Sequence, residues 1–302
     1  MGIRASRSVG VFAAIALSAV GLAAVSGCGS QKEAVDGGTD VRADRARQVA
    51  AAWDGSAAAA AWRAGYHPVG EAVQLPKGGL RGQADRQAHE NQNFILRGEL
   101  PGAGPKDGQV RWPGGDSLTR PLVGADQSYR TLAGTHDDGA PHLTVTGAKL
   151  GTMTMVTSRG PATVPAWLFS LDGYATPLKQ AAAVPSKPPP SPIEAAHDIP
   201  GRPIDRLIRI TGDGRSVTVV ALHGVCDDGA GVDVLETRGS VVLSAAVKGH
   251  EGGGICTKQS RLQQVTVKLE RPVGDRVLLD ARTGRPVPYK GSRGVSPSPS
   301  AR

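Results

Sequence analysis

Aromatic residues are scarce in this 302-residue chain, with four Trp, four Tyr and three Phe making up 4% of it. Charged residues are also few, at 21%, against 41 Gly and 22 Pro. That balance argues against a helical bundle and describes many turns joining short elements, with strands as the natural filling. Catalytic signatures are missing too: there is no G-x-S-x-G elbow, S-x-x-K, H-E-x-x-H, P-loop or Rossmann glycine pattern. Glycine is so frequent that near misses carry no information. No catalytic residue, metal ligand set or cofactor is therefore assigned. Cysteine is the third scarcity, with only Cys28, Cys226 and Cys256.

What is present is concentrated first at the N-terminus. Arg4 and Arg7 give a basic start, Val9 to Val25 is an uncharged apolar run rich in alanine, and Val25-Ser26-Gly27 leads into Cys28. A run of about seventeen residues falls short of the ~20 that a stable span needs, so it reads as an export signal made to be removed. The four residues ending at Cys28 resemble the lipobox of bacterial lipoproteins. The resemblance implies that the Cys28 thiol receives a diacylglycerol and that signal peptidase cuts just before it. Two acyl chains, at ~0.8 kcal/mol per buried methylene, would then hold the chain on the extracytoplasmic face of the cell membrane. Arg4 and Arg7 are not adjacent, which disfavours the twin-arginine route.

With Cys28 taken by lipid, Cys226 and Cys256 remain as an even pair in an oxidising compartment and are expected to form a disulfide. It would close a loop of roughly thirty residues and contribute about 3 kcal/mol on the chain-entropy account. A zinc site needs two further ligands. His223 and His250 lie close in sequence, but exported thiols are seldom kept reduced. The formal charge of +8 drops by two when Arg4 and Arg7 leave, and the remaining excess favours anionic partners. The expected partners are membrane lipid through acylated Cys28, and an anionic cell-wall polymer or another exported protein, with no nucleic acid.

In chain order, residues 1–27 form the signal peptide and 28–40 a lipidated polar tether. Residues 41–183 hold a helical pair and a first β-rich domain. Asp40 is placed to cap a helix running to Trp53, and Ser56 caps a second that Gly65 closes. Candidate strands follow at Val73–Leu75, Phe94–Leu100 and Val110–Trp112, then a hairpin from Leu143 to Leu171 turning at Ser158-Arg159-Gly160. Trp167 and Phe169 share one face of its second strand and read as core. The stretch 184–204 is a Pro-rich linker that cannot pair inside a sheet. Residues 205–290 form a second β-rich domain with turns at Gly212-Asp213-Gly214, Arg238-Gly239 and Thr283-Gly284, plus a run Val265-Val267-Leu269. Residues 291–302 are a low-complexity tail expected to be disordered. The fold class expected is mainly β: two sandwich- or barrel-like antiparallel modules preceded by a short N-terminal helical pair.

His136-Asp137-Asp138 and Cys226-Asp227-Asp228 offer oxygens to calcium, but a calcium loop needs more ligands at defined spacing, so both read as solvated turns. His67, beside Pro68, reads as readily as a packing residue as a base or a ligand. Ala51-Ala-Trp-Asp-Gly-Ser56, Ala61-Trp-Arg-Ala-Gly-Tyr-His-Pro68, Val164-Pro-Ala-Trp-Leu-Phe169, Val265-Thr-Val-Lys-Leu-Glu-Arg-Pro272 and Gly274-Asp-Arg-Val277, with Asp280 and Thr283-Gly-Arg-Pro286, are similar to lipoproteins of uncharacterised function from Streptomyces and related actinobacteria. That resemblance implies a location and no activity. Two functions follow: a membrane-anchored lipoprotein with a non-catalytic binding or envelope-structural role, or an extracytoplasmic hydrolase whose site is assembled from distant Asp, Glu and His residues. The binding lipoprotein of an ABC importer fits the anchor but not the β-rich pattern.

Labelled palmitate is expected to enter the chain, and Cys28→Ser to abolish both labelling and the lipid-anchored membrane retention that resists high salt. Peptide mapping without reductant is expected to find Cys226 joined to Cys256, and free thiols at both would reopen a metal site.

Overall fold

A computed structural model describes residues 33–102, 104–134, 137–249 and 259–289. The signal peptide, Cys28, Cys256 and the tail 291–302 lie outside the described residues. Helix α1 spans Glu33–Trp53 and α2 Ala57–Ala64. Ser56 caps α2 as expected, its Oγ accepting from the Ala59 amide at 3.1 Å, and Gly65 ends it with its amide bonded to the Trp62 carbonyl at 3.1 Å. Helix α1 begins before Asp40, so residues 33–40, assigned to the tether, are helical instead. Tertiary docking overrides the weak local propensity here: Arg42 reaches Asp233 at 3.2 Å, and Ala46, Val49, Ala50 and Trp53 form one buried face.

The first β unit contains β1 (Val73–Gln74), helix α3 (Gln83–Glu90), β2 (Phe94–Leu96), β3 (Asp107–Arg111), β4 (Ser117–Pro121), helix α4 (Ala125–Leu132), β5 (Leu143–Thr157), β6 (Gly160–Leu171) and β7 (Leu178–Ala181). Its spine is the β5–β6 hairpin, turning at Ser158-Arg159 with Gly160 at φ +91°, a conformation that favours glycine. One path through the sheet runs β1-β7-β6-β3-β4, with β5 on the other side of β6 and β2 beyond it. The hairpin buries opposite faces in its two halves. Near the tip Met153, Met155, Ala162, Val164 and Ala166 share a core with Tyr66 and Trp112. Near the open end Val145, Trp167, Phe169 and Leu171 share another with α3 and α4. Ala166 and Trp167 are consecutive and therefore point to opposite sides. In β5 a register shift between Val145 and Gly147 makes the same change of phase.

The second unit contains β8 (Arg206–Ile210), β9 (Ser216–Gly224), β10 (Ala230–Glu236), β11 (Ser240–Val247), β12 (Ser260–Lys268) and β13 (Val277–Asp280). Two three-stranded sheets, β12-β9-β8 and β10-β11-β13, face each other over Val217, Val219, Ala221, Val241, Leu243 and Ala245, as a sandwich does. The turns at 212–214 and 238–239 join antiparallel pairs as expected. Strand pairings among the described residues are antiparallel except β2 with β5 and β11 with β13, and an isolated parallel bridge joins Leu207 on β8 to Tyr289. The fold is thus mainly β, with an N-terminal helical pair. That pair, though it precedes the first unit in the chain, packs on the outer face of β11 and β13 through Val242, Val277 and Leu279. The stretch 184–204 forms no strand and is strapped to the body. Ser186 exchanges two bonds with the Tyr66 backbone, and Arg120 donates to the Val184 and Pro185 carbonyls at 2.9 and 2.8 Å.

Trp53 is fully buried, and its Nε1 donates to the Gly284 carbonyl at 2.8 Å, tying α1 to the turn after β13. Trp53→Ala is expected to destabilise the protein by about 3–5 kcal/mol and Trp53→Phe by about 1 kcal/mol, read from urea unfolding midpoints.

Candidate functional site

The five residues Tyr66 to Gly70 join the two β units. Tyr66 is completely buried in the first unit's core and donates its hydroxyl to Met155 Sδ at 3.2 Å, and burial raises its pKa. The segment then runs beside the end of β5: Ser158 N donates to the His67 carbonyl at 2.8 Å, Val69 N donates to the Val156 carbonyl at 2.9 Å, and Pro68 bridges Thr157. Val69, three residues beyond Tyr66, packs against the core of the second unit instead.

Between this seam and the edge of β8 lies a cleft of about 580 Å³. One wall is the β5–β6 tip, residues 156–161, with Trp62 and Val69; the other is the end of β8 and the turn 211–214, with the loop 272–276. Its floor includes Leu207, Val273, Leu278 and Val287, all buried in the second unit's core. A second hollow of about 390 Å³ shares Val69, Val156 and Ile210 with the first and continues past Ile208 and Arg209 to Thr218, Glu71 and Tyr289. Val156 is 47% exposed on this wall.

The cleft's two larger charges are already engaged. Arg276 is buried and donates to Glu236 at 2.8 Å and to the Arg271 and Pro272 carbonyls at 2.7 and 2.9 Å, which fixes the loop that forms one wall. Burial alone would raise the Glu236 carboxyl, but the Glu270 and Arg271 amides and Arg276 hold it below its ordinary value. Arg159 pairs with Asp116 at 2.7 Å and lies over the Trp112 ring at 3.9 Å. Asp213 accepts from Thr211 Oγ1 at 2.6 Å and the Arg215 amide at 3.0 Å, bonds that lower its pKa. Asp275 is exposed and has no partner among the described residues. Tyr289 bonds to Glu71, and burial, with that carboxylate beside it, pushes the phenol up.

His67 is buried and stacks on Trp62 with ring centroids 3.8 Å apart and planes 5° from parallel. Burial, aided by the Arg120 charge, lowers its pKa to about 4. His67 Nε2 and Ser158 Oγ are both buried and both without a hydrogen-bond partner among the described residues, so the two side chains do not form a nucleophile–base pair here. His67 packs as a buried ring on Trp62.

The other predicted positions sit apart from the cleft lining. Cys226 lies in the turn between β9 and β10, while its expected partner Cys256 and the neighbouring His250 lie outside the described residues. His223 Nδ1 sits 2.8 Å from the Gly224 carbonyl. Asp227 caps its turn by accepting from the Gly224 amide, and Asp228 N donates to the Gly249 carbonyl at 3.0 Å. Asp137 accepts from the Gly139 amide at 3.0 Å, while His136 lies outside the described residues. Among the described residues no group of three or more His, Cys, Asp or Glu is placed to hold a metal ion, and no helix is long and apolar enough to cross a membrane. The cleft was not anticipated from the sequence. Its one local signal is the doublet Met155-Val156, which breaks the alternation of β5: Met155 turns into the core, 3% exposed, and Val156 faces out. No family model, curated protein or solved structure matches this chain.

His67 ties stability to pH. The unfolded ring titrates near 6.5 and the folded one near 4, so the unfolded chain binds more protons between those values and stability rises with pH across that window. Acidification from pH 6.5 to 4.5 is expected to lower the urea midpoint, toward a total loss on the order of 3 kcal/mol below pH 4. His67→Phe keeps a ring against Trp62 and is expected to flatten the profile; an unchanged slope would refute the assignment.

Proposed function

We propose that the protein is an extracytoplasmic lipoprotein, held on the cell membrane by acylated Cys28, with a non-catalytic binding role carried by the cleft between its two β units. The observation that carries this reading is Val156, an aliphatic side chain 47% exposed on the wall of a cleft of about 580 Å³ whose floor is the apolar core. An apolar concavity with a few placed polar groups is what a ligand site requires.

The state of the titratable groups supports binding rather than proton transfer. Arg159 and Arg276 are each neutralised by a carboxylate, and His67 is a neutral, buried ring. A general base needs a pKa near the working pH and reach to a proton, and His67 offers neither. The lipobox resemblance and the likeness to actinobacterial lipoproteins support the location, and a bond between Cys226 and Cys256 would clamp the open end of the β10–β11 hairpin in an oxidising compartment.

The protein carrying Cys28→Ser, added back to washed cell envelopes, is expected to be retained, and Val156→Arg to reduce that retention at least about tenfold by setting an unpaired charge on the apolar wall. Circular dichroism and the melting temperature are expected to stay unchanged because Val156 is on the surface. Retention that survives Val156→Arg excludes the cleft as the binding site.

A further inference from the structure

We infer that the ligand of this cleft is an uncharged lipid, a long apolar chain ending in a hydroxyl; the inference rests on the binding role proposed above. Val69 and Val156 form one wall and Ile210 stands on the other, over a floor of Leu207, Val273 and Leu278 that belongs to the second unit's core. The volume of about 580 Å³ lies within the roughly 300–1,000 Å³ of pockets that enclose one small ligand. The smaller hollow shares Val69, Val156 and Ile210 with the cleft and continues past Ile208. Apolar surface thus runs on from one hollow into the other, which suits a chain better than a compact ring.

The charges around this surface oppose one another. Arg159 pairs with Asp116 and Arg276 with Glu236. Asp213 has Arg215 beside it in the turn. The smaller hollow carries one charge of each sign, Arg209 and Glu71, and Glu71 is bonded to Tyr289. Asp275 is left, and it is exposed at the rim, where solvent screens it. A charged head leaving water for this space would find no buried charge left to pair with, whereas an uncharged one loses little. The polar atom without a role is Ser158 Oγ, buried in the β5–β6 tip with no hydrogen-bond partner among the described residues, on a residue that lines the cleft. Rotation about its one χ angle turns that hydroxyl to a ligand's own, and the orphan then gains the bond it lacks. Trp62 lines the cleft next to it, both residues being in contact with His67. Trp53, Trp112 and Trp167 each donate the indole N–H to a protein oxygen, and Trp62 does not among the described residues. The hydroxyl end of the lipid is therefore placed at Ser158 and Trp62, with the chain along Val69, Val156 and Ile210.

Calorimetric titration of the full chain carrying Cys28→Ser, which has no acyl group and needs no detergent, tests this at pH 7 with three probes of one length: decanol, decanoate and decylammonium. Decanol is expected to bind at least about tenfold more tightly than either ion. Each buried methylene is worth roughly fourfold in affinity, so octanol is expected to bind about tenfold more weakly than decanol. Ser158→Ala is expected to weaken decanol roughly fivefold without lowering the melting temperature, because the hydroxyl it removes has no partner in the unliganded protein. A merely structural serine would leave the decanol affinity where it was. Equal or tighter binding of either ion, equal binding of octanol and decanol, or no effect of Ser158→Ala overturns the inference. If none of the probes binds while Val156→Arg still reduces envelope retention, the ligand class is wrong and the cleft stands; if Val156→Arg leaves retention intact, the binding site itself is wrong.

Discussion

Two hydrogen bonds between a five-residue segment and the end of β5 hold this molecule's two halves in register: Val69 N to the Val156 carbonyl and Ser158 N to the His67 carbonyl. They matter because Tyr66 and Val69 belong to different hydrophobic cores. A chain that enters one core with Tyr66 and the other with Val69 cannot let the units drift without exposing one of those side chains. The exchange of bonds between Tyr66 and Ser186 secures the same point from the opposite strap of chain. The cleft follows from this seam. The β5–β6 tip is held near the β8–β9 turn but is not paired with it, so Val156 and the outer edge of β8 are left facing the same space.

Electrostatics in the cleft depend on which arginines are already satisfied. Arg276 is buried, so its charge is tolerable only because Glu236 and two loop carbonyls receive it; removing the carboxylate would leave an uncompensated cation inside the protein. Its work is to fix the loop 271–273. Arg159 is held over Trp112 by Asp116. Both guanidiniums thus serve structure, and a count of lysines and arginines in the sequence misjudges the field a ligand would meet. The two arginines that line the cleft are engaged within the protein, so the formal charge of +8 does not describe the field inside it.

Some features were legible because they are local. Ser56 before an alanine run, Gly65 after it, and the glycine turns at 212–214 and 238–239 each act through their own backbone within a few residues, and each lies where expected. Other features were not. The hairpin β5–β6 was visible, but its change of buried face was not, because apolar residues run through both phases around Ala166 and Trp167. Helices α3 and α4 were missed: each is eight residues long, and short helices gain their stability from the sheet they cover rather than from propensity. Helix α1 was placed to start too late for the same reason, since its first turns are held by contacts such as Arg42 with Asp233, 191 residues away in the chain.

By itself the sequence determined the β class, the turns and the helix cap, which depend on a residue's own conformational limits. Tertiary structure alone decided that the helical pair belongs on the second sandwich, that Val156 rather than Met155 faces outward, and that the arginines beside it are already neutralised. The reason is that each of these depends on which partner reaches a side chain from far along the chain. Local propensity carries no information about such a partner, and burial and charge pairing are set only when the partner arrives.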